Sequence, residues 1–149
     1  MRYEFDYKHY SDVAELSPED GLLVGAAYQA TEQAFAPYSN FRVGAAARLR
    51  SGRILTGSNQ ESEVYPSGLC AERTLLYNWQ AHYSDDAIEV LAIASNPSER
   101  ECYPCGGCRQ ILLDSERRQG SPMRVLMCGA GTVTEVPSAE CLLPFQFKL

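Results

Sequence analysis

The sequence predicts an α/β fold, a three-layer α/β/α sandwich around a central mixed sheet of about five strands. Two observations carry this. Helical and strand patterns follow one another in the order helix, hairpin, helix, strand, helix, hairpin. The last two strand segments are joined only by Gly129-Ala130-Gly131. A parallel crossover needs a dozen or more residues, so that final pair is expected to be antiparallel. No internal repeat, low-complexity tract or Pro/Ser-rich linker interrupts residues 1–149. They are expected to form a single domain, with residues 1–16 as an N-terminal extension or arm.

The elements follow in order. Tyr3, Phe5 and Tyr7 alternate with charged residues, which fits either a short strand with one buried face or a loosely docked arm. Ser17-Pro18-Glu19-Asp20 supplies a capping serine, a proline at the first helical position and acids in the first turn. Leu22, Leu23, Ala26, Ala27 and Ala30 continue as an apolar stripe, and the helix ends before Pro37. Phe41 to Leu49 and Arg53 to Thr56 suit strands about a Ser51-Gly52 turn. Asn59 to Gly68 is a loop, and Cys70 to Trp79 a helix offering Ala71, Leu75 and Leu76 to the core. The apolar run Ile88 to Ala94 suits a buried central strand. A second loop, Asn96 to Gly107, precedes a helix through Ile111, Leu112 and Leu113 that Gly120 finishes. Arg124 to Cys128 and Thr132 to Val136 are the closing strands, and Ser138 to Leu143 a last short helix.

Composition narrows the function classes. Thirteen basic against nineteen acidic residues give a net charge of −6, and the only lysines are Lys8 and Lys148. A protein that grips a nucleic-acid backbone usually carries a basic face, so polyanionic partners are disfavoured. No apolar run reaches the ~18 residues of a membrane span, and the first residues lack a secretory signal. A cytoplasmic chain is expected. There, clustered cysteines point to metal or catalysis more than to disulfides. The six are Cys70, Cys102, Cys105, Cys108, Cys128 and Cys141.

Cys70-Ala71-Glu72-Arg73 and Pro104-Cys105-Gly106-Gly107-Cys108-Arg109-Gln110 each place thiols at the start of an expected helix. Helix N-termini favour thiolates there through their free N–H groups and positive dipole end. Three thiolates from Cys70, Cys105 and Cys108 would bind one Zn²⁺ and leave a fourth position open, the pattern of a catalytic zinc site. Glu72 is placed to carry a proton beside it.

These motifs resemble the zinc-deaminase signature in its all-cysteine form, and specifically the small, homotetrameric-type cytidine deaminases. The resemblance extends to Pro37-Tyr38-Ser39-Asn40-Phe41-Arg42-Val43-Gly44, to Asn59-Gln60-Glu61, to the whole Tyr65–Thr74 stretch and to Leu142-Leu143-Pro144 with Phe147. It covers nearly all of the chain from Leu22 to Phe147. It implies hydrolytic deamination of free cytidine or deoxycytidine in pyrimidine salvage, with one Zn²⁺ per subunit. Cys70, Cys105 and Cys108 would be the ligands and Glu72 the proton carrier to N3 and to the departing amine. Arg73 would offset thiolate charge. Phe41 would stack on the base, and the Ala71 N–H would meet the base carbonyl. Asn59 and Glu61 would hold the ribose hydroxyls. Phe147 would reach the site of a neighbouring subunit in a homotetramer.

The chain departs from the family pattern at Ser62 and Glu63, where that pattern has Asn-Ala after the glutamate, which bears on sugar preference. Cys102 creates a Cys102-x-x-Cys105-x-x-Cys108 spacing, so a closed four-thiol structural site is a competing reading of a different class. Cys102 is otherwise expected to be a loop thiol near the site. The same metal motifs also suit a blasticidin-S-type deaminase or a polynucleotide deaminase. Cys128 and Cys141 are expected to be buried small hydrophobes, and His9 and His82 surface residues.

Overall fold

A computed structural model describes residues 1–149. Six strands form one mixed sheet: β1 (Lys8–Tyr10), β2 (Arg42–Leu49), β3 (Ile54–Ser58), β4 (Ile88–Asn96), β5 (Arg124–Gly129) and β6 (Thr132–Val136). Their spatial order is β1-β6-β5-β4-β2-β3. β4 and β5 are parallel and every other neighbouring pair is antiparallel, including β5 with β6 as expected. Three α-helices pack on this sheet: α1 (Pro18–Ala30), α2 (Ala71–His82) and α3 (Gly106–Gln119).

The sheet has six strands, not about five, because the arm contributes β1. The strand does not coincide with the Tyr3–Tyr7 alternation. Pairing runs from Lys8↔Glu135 to Tyr10↔Val133, while Tyr3, Phe5 and Tyr7 stay exposed. An edge strand of three residues leaves almost no periodic signal to read.

Strand alternation separates two cores. Ala45, Ala47 and Leu49 of β2, with Leu91 and Ile93 of β4 and Val125 and Met127 of β5, face α2 and α3. Ala46, Val90, Ala92, Ala94, Leu126 and Cys128 face α1. The period of two thus sends neighbouring residues into opposite layers. α1 begins as expected, with Ser17 Oγ accepting the Asp20 N–H at 3.2 Å and Pro18 in the first turn. Its buried stripe is Leu23, Val24, Ala27 and Ala30, whereas Leu22, expected in the stripe, is 77% exposed. The i, i+3, i+4, i+7 spacing selects positions 20, 23, 24 and 27, and so puts Asp20 at the edge of the buried face.

That position makes Asp20 a tie between layers. Its carboxylate accepts from Arg48 Nη2 on β2 at 3.0 Å and from Arg124 Nη1 on β5 at 2.8 Å. Burial pushes the Asp20 carboxyl up, but the two guanidinium groups outweigh it and hold it below the usual value. A lowered folded pKa contributes stability above the unfolded value of ~3.9, which is lost as the pH falls through the folded value. Asp20→Asn is expected to cost roughly 2–3 kcal/mol at neutral pH, less than a fully buried pair because Arg124 is partly solvated. The deficit should shrink in acid. Urea unfolding near pH 7 and near pH 3 checks this, and an equal deficit at both would remove the ion-pair account.

Two glycines bring backbone close where the candidate site is built. A Cβ on Gly57 of β3 would lie 2.8 Å from the Ala71 carbonyl oxygen and from the Leu75 nitrogen, in the first turns of α2. A Cβ on Gly129 at the end of β5 would lie 1.9 Å from the Arg100 carbonyl oxygen. Only glycine lets the 96–105 loop lie against β5, where the Cys102 N–H donates to the Cys128 carbonyl at 3.0 Å.

Candidate active site

Cys70 and Cys105 occupy the N-cap positions of α2 and α3, both with extended backbone. Neither side chain makes a capping bond. A serine or aspartate there would turn back onto its own helix; these thiols are free to face one another. Their sulfurs are 3.9 Å apart. Cys108, one turn into α3 and fully buried, completes a trio whose sulfurs all lie within 4.8 Å. Thiolates about 2.3 Å from a tetrahedral zinc stand roughly 3.8 Å from one another. The trio therefore fits Zn²⁺ in both donor chemistry and spacing.

The local charges suit a cation. Cys70 is pulled down to about 5 by a hydrogen bond from Cys108 and, against burial, by Arg73. Cys108, the donor in that bond and buried, is pushed up in turn. Arg73 Nη2 donates to Cys70 Sγ at 3.2 Å, three residues along the same helix. Its Nε is buried without a partner. Three thiolates and one Zn²⁺ sum to −1, so a guanidinium at that distance brings the cluster to neutrality.

Glu72 is 3% exposed, in the first turn of α2. Burial pushes its carboxyl up to about 7, while its own backbone N–H and the Cys108 thiol pull the other way. A carboxyl poised near neutrality beside a metal position can both give and take a proton.

A cavity of about 460 Å³ opens on the Cys70 and Arg73 side and is lined by Ser39, Asn59, Glu61 and Tyr65 among others. The expected loop Asn59–Gly68 is tied at its base. Gln60 exchanges backbone bonds with Leu69 at 2.9 and 3.0 Å, and the Glu61 N–H donates to the Phe35 carbonyl at 2.8 Å. Asn59 is buried, with Oδ1 accepting from the Val43 N–H at 2.8 Å and Nδ2 donating to the Phe41 carbonyl at 2.9 Å. Glu61 Oε1 accepts from the Tyr38 N–H at 2.9 Å and the Ser39 N–H at 3.1 Å. Phe41 is 42% exposed and lines a second cavity with Ser95, Cys102 and Tyr103. Ala71 opens α2, where its N–H has no carbonyl one turn back to receive it.

Phe147 stands elsewhere, and Cys102 is a loop thiol beside the trio without joining it. Phe147 is 72% exposed and lines a cavity with Gln110, Asp114 and Arg117, apart from the thiols. Cys102 is buried outside the trio, and burial pushes it up to about 12. The cluster of convergent thiols thus holds Cys70, Cys105 and Cys108 without Cys102, so the closed four-thiol site is not formed. Cys128 is buried as expected and Cys141 is half-buried. His82 is exposed at the end of α2, and His9, also exposed, contacts Thr134 Oγ1 at 3.1 Å. Composition and motif spacing did not single out Ser39 as a site contact; its signal was its place in the Pro37–Gly44 stretch that carries the family resemblance.

A thiol trio on two helix N-termini, with a buried carboxyl between them and a mixed sheet beneath, defines a zinc-binding deaminase fold. Residues 18–120 match the family described as the cytidine and deoxycytidylate deaminase zinc-binding region. A cytidine deaminase of Halalkalibacterium halodurans is 37% identical over 93 residues, 62% of this chain and 69% of that one. One from Sporosarcina psychrophila is 36% identical over 128 residues, 85% of this chain and 89% of that one. The crystal structure of cytidine deaminase from Burkholderia pseudomallei superposes with a TM-score of 0.73 at 34% identity, covering 89% of this chain and all of that one. The chain belongs to the cytidine deaminase family, and its cofactor is zinc, one ion per chain. No helix is long and apolar enough to cross a membrane.

Proposed function

We propose that the chain hydrolyses free cytidine and deoxycytidine to uridine and deoxyuridine with release of ammonia, in pyrimidine salvage in the cytoplasm. The observation that carries this is the buried Glu72 carboxyl next to three convergent thiols, of which Cys70 lines a nucleoside-sized cavity. Cys70, Cys105 and Cys108 would hold the zinc, which would supply Lewis acidity to the attacking water. Glu72 takes a proton from the attacking water and holds it at N3, which makes C4 electrophilic. It then takes the remaining proton from the hydroxyl added at C4 and passes it to the exocyclic nitrogen as the C4–N bond breaks, leaving the carbonyl of uridine. Arg73 balances the thiolate charge, and second partners of this kind tune a metal as strongly as its ligands orient it. Phe41 stacks on the base, the Ala71 N–H donates to the base carbonyl, and Asn59 and Glu61 hold sugar hydroxyls.

The residues 1–149 act as one domain, with 1–16 an arm that pairs with β6 through Lys8–Tyr10. The assembly is a homotetramer in which Phe147 enters a neighbour's site, in keeping with its exposure and its distance from the thiols of its own chain. Ammonia release by the zinc-loaded protein tests the whole. Cytidine should turn over, and blasticidin S and a single-stranded oligonucleotide should not. Turnover of either of these without cytidine would overturn the substrate, and a one-chain sedimentation mass at full activity would overturn the shared site.

A further inference from the structure

The turn that precedes β2 and the loop that follows β3 lie side by side, and one hydroxyl joins them. The Ser39 hydroxyl donates to Glu61 Oε2, and the Ser39 and Tyr38 N–H groups donate to Oε1 at 3.1 and 2.9 Å. Three donors from two consecutive residues thus cradle a carboxylate that is itself in contact with solvent. The same Ser39 oxygen accepts the Phe41 N–H at 3.1 Å. The neighbouring residue, Asn40, sits in the left-handed region at φ +56°. Asparagine adopts that conformation more readily than most residues, which suits it to the turn between Ser39 and Phe41.

The cradle has an electrical consequence. The Ser39 hydroxyl, more than the backbone N–H groups, holds the Glu61 carboxyl below its ordinary value. A carboxylate offers about four lone-pair sites. Three are taken by the turn, so the remaining acceptor capacity is fixed in direction. That is the condition for recognising a hydroxyl by geometry and not by charge alone.

We propose that Ser39 is a positioning residue for substrate specificity. It orients Glu61 toward the sugar hydroxyls and, through the Phe41 N–H, sets that orientation relative to the ring proposed to stack on the base. This rests on the sugar-binding role proposed above for Glu61. Ser39 touches no reacting atom, so its removal acts on substrate affinity and leaves the chemical step alone. The tie also reaches the core. Asn59 holds the Phe41 carbonyl and the Val43 N–H, so the turn is pinned from both ends of the Asn59–Glu61 segment.

The test is a double-mutant cycle of Ser39→Ala and Glu61→Gln in the zinc-loaded enzyme, with KM and kcat measured on cytidine and on 2′,3′-dideoxycytidine. Ser39→Ala should raise KM for cytidine about tenfold, the worth of one charge-assisted hydrogen bond, with kcat within about twofold. It should leave KM for the dideoxy substrate unchanged, since that substrate lacks the 2′- and 3′-hydroxyls proposed for Glu61 and keeps only the 5′-hydroxyl. In the Glu61→Gln background, Ser39→Ala should add nothing. Ser39→Thr, which keeps the hydroxyl, should restore KM. A rise in KM for both substrates, or additivity with Glu61→Gln, would overturn the positioning role. A Glu61→Gln variant with unchanged KM for cytidine would instead overturn the sugar-binding role itself, so the two failures are distinct. A KM rise that Ser39→Thr fails to rescue would also count against the hydroxyl.

Discussion

Glu72→Gln is expected to keep its zinc and lose turnover by about 10²–10⁴-fold, the usual worth of a positioned proton-transfer group. The substitution keeps shape and hydrogen-bonding capacity but removes the proton that must travel. The residue is 3% exposed, so no bulk water can take over its task at the same position. Nor should the variant unfold. Burial disfavours the charged carboxylate and raises it to about 7, so a neutral side chain of equal size relieves that cost. Metal analysis together with initial rates decides the matter. Full zinc with an unchanged rate would remove Glu72 from the mechanism, and lost zinc would make it a structural support of the metal site.

Cys108→Ala is the second large effect. The variant should fall well below one zinc per chain, with activity at background. Partners behind the ligands of a metal are themselves worth 10–100-fold, and a ligand should be worth more than about that. Cys108 is also the buried member of the trio, so no solvent ligand can enter easily in its place. Cys102→Ala is the informative partner, since it lies six residues away in sequence but outside the cluster. It should keep its zinc. Loss of metal in Cys102→Ala would revive the closed four-thiol site, and retention in Cys108→Ala would show that two thiols suffice.

The legible parts of this molecule were those governed by short-range rules. Ser17 and Pro18 announced α1, and Gly129-Ala130-Gly131 forced the antiparallel closing pair. The spacing of Cys105 and Cys108 put both sulfurs on one face of a helix start, which local geometry alone decides. Their meeting with Cys70 is long-range, and it was legible through two thiol motifs that each open a helix and through their resemblance to the zinc-deaminase signature. What was hidden depends on partners distant in sequence. Asp20 looked like a first-turn acid and proved to be a tie to Arg48 and Arg124. Glu116, an ordinary helix acid by pattern, accepts from the Met123 and Ala139 N–H groups and the Ser138 hydroxyl, and so pins the chain after β6 to α3. Ser39 stood within the stretch that carries the resemblance, but nothing in its sequence neighbourhood names Glu61. β1 escaped because three edge residues carry no period, and their register is set by β6 alone.

That first strand also fixes an order of events during synthesis. His9 meets Thr134 across 125 residues of chain, and Tyr3 packs near Phe145 with ring centroids 6.5 Å apart. The strand made before all the others therefore finds its partner only after β6 has left the ribosome. Contacts this distant in sequence are the slowest to form, whereas the β2–β3 hairpin can close early. The arm must wait, solvated and carrying exposed tyrosines, while the rest of the sheet assembles, and its docking marks a chain whose other five strands have already been made.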